Sequence, residues 1–164
     1  MLLQALYERE PDLHSHAHEV TELAVAVGRR LGLGDGAIDE VQRAAMLHDI
    51  GKIARKHTVV GERIVSASPT LRRVGRIVRS SHERWDGTGY PDRLVGAEIP
   101  LAARIVFACD AFSAMTTSRA YREAMSVDEA LRELDLGSAS QFDPEVAGIL
   151  AAVVHERFTV GAPD

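Results

Sequence analysis

Between Asp12 and Leu31 the apolar residues Leu13, Ala17, Val20, Leu23, Ala24, Val27 and Leu31 recur at spacings of three and four, the repeat of one face of an α-helix. The same repeat returns in Ile38, Val41, Ala45 and Leu47, in Leu71, Val74, Ile77 and Val78, and in Ile105, Ala108 and Phe112. It returns again in Ala130, Leu131 and Leu134, and in Val146, Ile149, Leu150, Val153 and Val154. No stretch alternates apolar and polar residues as a half-buried strand would. The chain is therefore expected to be all-α, a single compact helical bundle over residues 1–164.

Punctuation residues set the expected boundaries. Gly32 and Gly34 stop the first helix, and Asp35 is positioned to cap a second that runs to about Asp49, where Gly51 breaks it. A helix is expected from about Thr58 to Ala67. Ser68-Pro69 and Pro100 each open another, Ser126 to Glu129 reads as a capping box with Gly137 as its stop, and Asp143-Pro144 starts the last. Residues 86–99, rich in Gly, Asp and Pro, form a 14-residue loop, long enough in a compact domain to suggest a function.

Composition narrows the class. With 164 residues, 46% hydrophobic and 26% charged, the chain is sized and composed as about one globular domain. A net charge of −5 argues against a DNA or RNA polymer as partner. The single cysteine, Cys109, excludes a disulfide framework and fits a reducing compartment. No run approaches the ~18 apolar residues of a membrane span, and early acidic and His residues argue against a signal peptide. A cytoplasmic location is expected, with no membrane partner.

The chemistry-bearing residues are spread along the chain. His48-Asp49 closes an apolar helix, and His16, His57, His82 and Asp110 come from four other segments. Imidazole nitrogen mixed with carboxylate oxygen suits iron, manganese, zinc or nickel better than calcium. Taken alone, His48-Asp49 is as consistent with a helix-end pair as with a ligand pair. His14 and His18 point away from His16, and His155 reads as a surface residue.

The strings His48-Asp49-Ile50-Gly51-Lys52 and His82-Glu83-Arg84-Trp85-Asp86-Gly87-Thr88-Gly89-Tyr90-Pro91 resemble the two signatures of the HD-GYP family. That family is a branch of the helical, metal-dependent HD phosphohydrolases, and hydrolyses cyclic di-GMP. The resemblance continues at His16 with Val20, along Ile99 to Phe112, at Arg119 to Arg122 and at Gln141 to Pro144, so it covers roughly residues 2–158. It implies two divalent metal ions, iron or manganese first, with zinc or nickel also suited. One would be held by His16, His48, Asp49 and Asp110; Asp49 would bridge to a second that takes His57 and His82. Solvent bridging the two would attack phosphorus, opening cyclic di-GMP to pGpG, with onward hydrolysis to GMP left open. Asp49 and Lys52 would be catalytic, and Lys52, Arg119 and Arg122 would grip the substrate phosphates. The Gly-Tyr-Pro loop would shape the pocket wall.

Three departures from the family pattern matter. Ser81 stands where the family has a second consecutive histidine ligand. Ser113 stands where some members carry an Asp for a third metal, so at most two are expected. The connection from Lys52 to His57 is short, and a continuous helix would carry His57 about 12 Å along the axis from Asp49, so the chain must turn near Gly51 or Ala54. These departures keep two alternatives in view: a degenerate, catalytically weak module that binds a nucleotide, signalling partner or second copy, and a phosphohydrolase for another nucleotide. Arg72, Arg73, Arg76 and Arg79 form either a solvated face or an electrostatic guide for an anionic substrate.

Overall fold

In the computed structural model, which describes residues 11–52, 57–118 and 123–159, the described residues form seven α-helices, six of them on the apolar repeats above. They are α1 Pro11–Arg30, α2 Asp35–Leu47, α3 His57–Val65, α4 Arg72–Arg79, α5 Leu101–Thr116, α6 Val127–Leu136 and α7 Pro144–Thr159. Short 3₁₀ turns precede α4 (Pro69–Leu71) and α5 (Gly96–Glu98). Among the described residues no strand forms, and the fold is all-α as expected.

The most apolar segment becomes the central element. Ala103, Ile105, Val106, Ala108, Cys109, Phe112 and Ser113 of α5 are all buried, so α5 is covered on more than one face rather than along a single stripe. It packs against α1, α2, α6 and α7. Ala17, Val20, Leu23, Ala24 and Val27 supply the buried stripe of α1. Emptying a core position of this kind, as in Ile105→Ala, costs about 2–5 kcal/mol. No helix is long and apolar enough to cross a membrane among the described residues.

Several helix ends differ from the expected ones in an instructive way. Asp35 is the first helical residue of α2 and Gly34 its N-cap, so Asp35 faces the positive end of the helix dipole instead of capping it with a hydrogen bond. Ser68 makes no cap bond; its hydroxyl pairs with Thr70 Oγ1 at 2.9 Å, and Pro69 opens a 3₁₀ turn before α4. Pro100 stands one position outside α5 as its N-cap. The Ser126/Glu129 capping box forms as expected. Asp143 Oδ1 accepts from Glu145 N at 2.9 Å at the start of α7, and its Oδ2 accepts from Arg104 Nη1 at 2.5 Å, tying α7 to α5.

Two features of the backbone place the site. Helix α2 stops at Leu47 with His48 as its C-cap, two residues short of the expected end. The chain then turns through Ile50 N to Leu47 O and Lys52 N to Asp49 O. A Cβ on Gly51 would lie 1.9 Å from the His57 carbonyl oxygen and 2.7 Å from Gly61 N. Only glycine allows this approach, and it docks the start of α3 directly on the turn after His48-Asp49.

Candidate metal centre

Three separated stretches meet in the interior. His16 comes from α1, His48 and Asp49 from the turn after α2, and Asp110 from α5. His48 and Asp49 are 1% and 4% exposed. His16 Nε2 lies 2.9 Å from Asp110 Oδ1; His48 Nε2 lies 3.2 Å from Asp49 Oδ2 and 3.6 Å from Asp110 Oδ1. One ligand atom each from His16, His48 and Asp49 falls within 4.8 Å of the others. The structure thus brings together the four residues that the sequence assigns to one site.

His57 and His82 form a second pair beside the first. Their ring centroids are 4.8 Å apart in an edge-on arrangement. The Tyr90 ring lies 5.3 Å from His82 and 6.1 Å from His57. The turn enforced at Gly51 is what brings His57 here, so the short connection does not strand it at the end of a continued helix. Ser81 is buried and donates to Val78 O at 2.9 Å, which points its hydroxyl into the backbone of α4.

Charge and burial set the protonation states. Burial would raise the Asp49 carboxyl, but His48 and then Lys52 outweigh it and hold it at about 2. Asp110 is likewise held well below the usual carboxylate range by His16 and His48, against a burial effect of the opposite sign. Burial lowers His57 and brings His82 down to about 4, leaving both rings neutral with a lone pair to offer. For His48 burial again opposes charge, yet Asp110 and Asp49 win and push it up to about 10.

This donor set fits a divalent transition metal. His48 Nδ1 donates to Ala45 O at 2.6 Å, so Nε2 is the atom offered to the cluster, the usual orienting device for a ligating histidine. Nε2 of His48 and Nε2 of His57 are both buried without a hydrogen bond among the described residues. Such orphaned atoms are costly unless something partners them. Two ionised carboxylates and several imidazole nitrogens match the harder and intermediate donors that iron, manganese or zinc accept.

The surroundings fix the walls. Lys52 Nζ donates to Asp49 Oδ2 at 2.5 Å, and the side chain, 41% exposed, stands at the edge of the cluster. Arg119 and Arg122 lie outside the described residues. The buried Glu83 carboxylate, just before the 86–99 loop, accepts from that loop's Asp92 N, Arg93 N and Leu94 N at 2.6–3.2 Å. A Cβ on Gly89 would meet Arg84 N at 2.3 Å, whereas Gly87 is needed for its φ of +77°. Arg79 grips Asp92 with two bonds of 2.6 and 2.8 Å and Glu62 with one of 2.9 Å. Arg79 therefore ties the loop to α3 and is not a solvated member of the arginine face; Arg72, Arg73 and Arg76 are exposed. His14, His18 and His155 are exposed as expected.

Two positioning elements were not read from the sequence. The Glu83 clasp was hidden because a carboxylate inside a motif does not reveal that it holds backbone. The Ser113 hydroxyl lies 2.9 Å from His16 Nδ1 and donates to Glu19 Oε2 at 2.6 Å. The signal for that contact was present: Glu19 follows His16 by three residues, which puts both on one helix face.

Comparison with known proteins agrees with this architecture. The model of the HD domain family matches residues 52–146. A cyclic di-GMP phosphodiesterase of Thermotoga maritima is 35% identical over 160 residues, covering 84% of this chain and 44% of that protein. The cyclic di-GMP phosphodiesterase response regulator RpfG of Xanthomonas campestris is 33% identical over 171 residues, covering 91% and 45%. The chain thus spans a little under half the length of these curated relatives. Among solved structures, a cyclic GMP-AMP specific phosphodiesterase of Vibrio cholerae superposes with a TM-score of 0.77 at 18% identity, covering 89% of this chain and 45% of that one, which supports the shared fold.

Proposed function

The chain belongs to the HD domain family, in its HD-GYP branch, and we propose that it is a metal-dependent phosphodiesterase that opens cyclic di-GMP to pGpG. The observation that carries this reading is the convergence of buried His16, His48 and Asp49 with half-buried Asp110 in one cluster beside His57 and His82.

In this reading His16, His48, Asp49 and Asp110 hold one divalent cation, and Asp49, His57 and His82 a second, with iron or manganese best suited and zinc or nickel acceptable to the same donors. Bound cations would supply positive charge that stabilises the phosphoryl oxygens and makes an attacking water more acidic. The chain's own residues do the rest. Asp49, buried and ionised, offers an oxygen to each half of the site. Lys52 brings a mobile point charge to the edge where a substrate phosphate arrives, and Arg119 and Arg122 are proposed to add guanidinium forks for the phosphate oxygens. Tyr90 and the backbone that Glu83 clasps form the wall against which the substrate is oriented.

Ser81 favours a second reading. With its hydroxyl committed to Val78 O, the second half keeps only Asp49, His57 and His82, and a weak second site would leave a module that binds a nucleotide without turning it over. The deciding experiment loads the protein anaerobically with iron(II) or manganese(II). Cyclic di-GMP, the cyclic GMP-AMP dinucleotide and cyclic di-AMP are then supplied in parallel, with Asp49→Ala as control. Linear product from cyclic di-GMP that vanishes in the control is expected. Retained metal without any linear product would overturn the hydrolase reading, and product from another dinucleotide alone would reassign the substrate.

A further inference from the structure

We propose that Ser113 and Glu19 form a positioning relay that fixes the tautomer of His16 and thereby sets how tightly the first cation is held; this rests on reading the cluster as a metal centre. Ser113 is fully buried on α5 at 0% exposure, one turn after Asp110. Glu19 sits on α1, one turn after His16. The relay therefore spans the same pair of helices that brings His16 to Asp110.

The direction of each bond follows from the donors available. A serine hydroxyl has one hydrogen and a carboxylate only accepts, so the 2.6 Å contact sends the Ser113 hydrogen to Glu19 Oε2. The Ser113 oxygen is left with lone pairs. Its 2.9 Å contact with His16 Nδ1 then requires Nδ1–H to donate. Nε2 of His16 is thereby the atom aimed at Asp110 Oδ1, 2.9 Å away. Positive charge, whether a proton or a bound cation, belongs between those two atoms.

His48 has its Nδ1 proton fixed by a different route, with Nδ1–H donating to the fixed carbonyl of Ala45. A carbonyl can only accept, so the His48 tautomer is held by backbone. The His16 tautomer is held by a hydroxyl, which could rotate and donate if nothing claimed its hydrogen. Glu19 claims it. Without Glu19 the hydroxyl can donate to Nδ1 and move the ring proton to Nε2, the state that cannot ligate. Outer partners of ligating histidines are worth about 10–100-fold in metal affinity.

The test reads the ring first and the metal second. Long-range ¹H–¹⁵N NMR of the metal-free protein is expected to show a proton on His16 Nδ1, whether or not Nε2 also carries one. Ser113→Ala and Glu19→Ala should each lose that tautomer preference and bind manganese(II) about 10–100-fold more weakly, while Ser113→Thr, which keeps the hydroxyl, restores both. If Ser113→Ala does not fold, the partly exposed Glu19→Ala carries the test. Wild-type protein with Nδ1 unprotonated, or variants with unchanged manganese affinity, would overturn the relay while the metal reading stands. Wild-type protein that binds no manganese, whatever its tautomer, would instead overturn the metal reading and the relay's purpose with it.

Discussion

His48 and His57 each keep a buried Nε2 without a hydrogen bond among the described residues, yet their surroundings differ. Around His48 the rings of His16 and His48 are both oriented through Nδ1, two carboxylates stand within 3.6 Å, and His16, His48 and Asp49 are buried with Asp110 half-buried beside them. Around His57 the arrangement depends on ring-edge contacts with His82 and Tyr90 and on a short helix docked at Gly51. Ser81 faces away from it. In the proposed site the first half has its ligand atoms gathered before a cation arrives, whereas the second is a pair of neutral rings that would borrow Asp49. The two should therefore differ in occupancy, in sensitivity to nearby backbone changes and in response to pH.

In the proposed site both halves draw on Asp49, so its loss should erase the difference. Asp49→Asn keeps the shape, removes the charge and is expected to lower turnover by about 10²–10³-fold, the scale for losing a preorganised electrostatic stabiliser. Metal content measured by mass spectrometry should fall in step. Turnover that survives with only one half emptied would show that the halves do not share this carboxylate.

Backbone packing ranks next. Gly51→Ala forces a methyl group to within 1.9 Å of the His57 carbonyl, and overpacking of this kind costs about 1–3 kcal/mol. The melting temperature should fall by about 2–4 °C per kcal/mol, with the second half losing metal before the first. Gly148→Ala in α7 has open space around the new methyl and should be neutral or stabilising, by up to about 1 kcal/mol. Equal losses at both positions would remove the special status given to the Gly51 contact.

Ser81→His is the gain-of-function counterpart. A third imidazole beside His57 and His82 should strengthen retention of the second cation by at least about tenfold, no less than an outer partner alone contributes. His57→Ala should lower it and leave the first in place. Stoichiometry after dialysis reads both. An unchanged ratio in Ser81→His would mean that the second half is limited by the approach of α3 and not by its ligand count.

The sequence made some of this legible and hid the rest for physical reasons. Apolar repeats marked six of the seven helices, because a buried stripe must recur at three and four residues whatever it packs against, while the helix at His57–Val65 was expected without such a repeat. The four-residue cluster was legible through motif resemblance, and His16 and Asp110 could not have been paired by spacing, being 94 residues apart. Helix ends were displaced by a residue or two at Asp35, Asp49 and Pro100, where dihedral angles and packing decide between cap and first turn. The arginine face was ambiguous because Arg79 looks like its neighbours until Asp92 and Glu62 are brought to it by folding. Glu83 and Ser113 were hidden for the same reason: their partners are backbone amides and a side chain on another helix.

The halves should also part company in pH. In the ion-free protein His48 is pushed up to about 10, burial being outweighed by Asp110 and Asp49, so at neutral pH its ring holds a proton that a first cation must displace. Binding there should release that proton, and affinity should climb with pH, by no more than tenfold per unit, until about pH 10. His82, brought down to about 4 by burial, is already neutral at pH 7, and His57 is shifted in the same direction. The second cation therefore competes with no ring proton, and its affinity should be flat around neutral pH. Manganese titrations by calorimetry at pH 7, run in two buffers of different ionisation heat, count the protons directly. About one released with the first cation and none with the second is expected. Equal release from both would mean that His48 shares its proton across the whole cluster, and the contrast between a charged, prepared half and a neutral, borrowing half would fall.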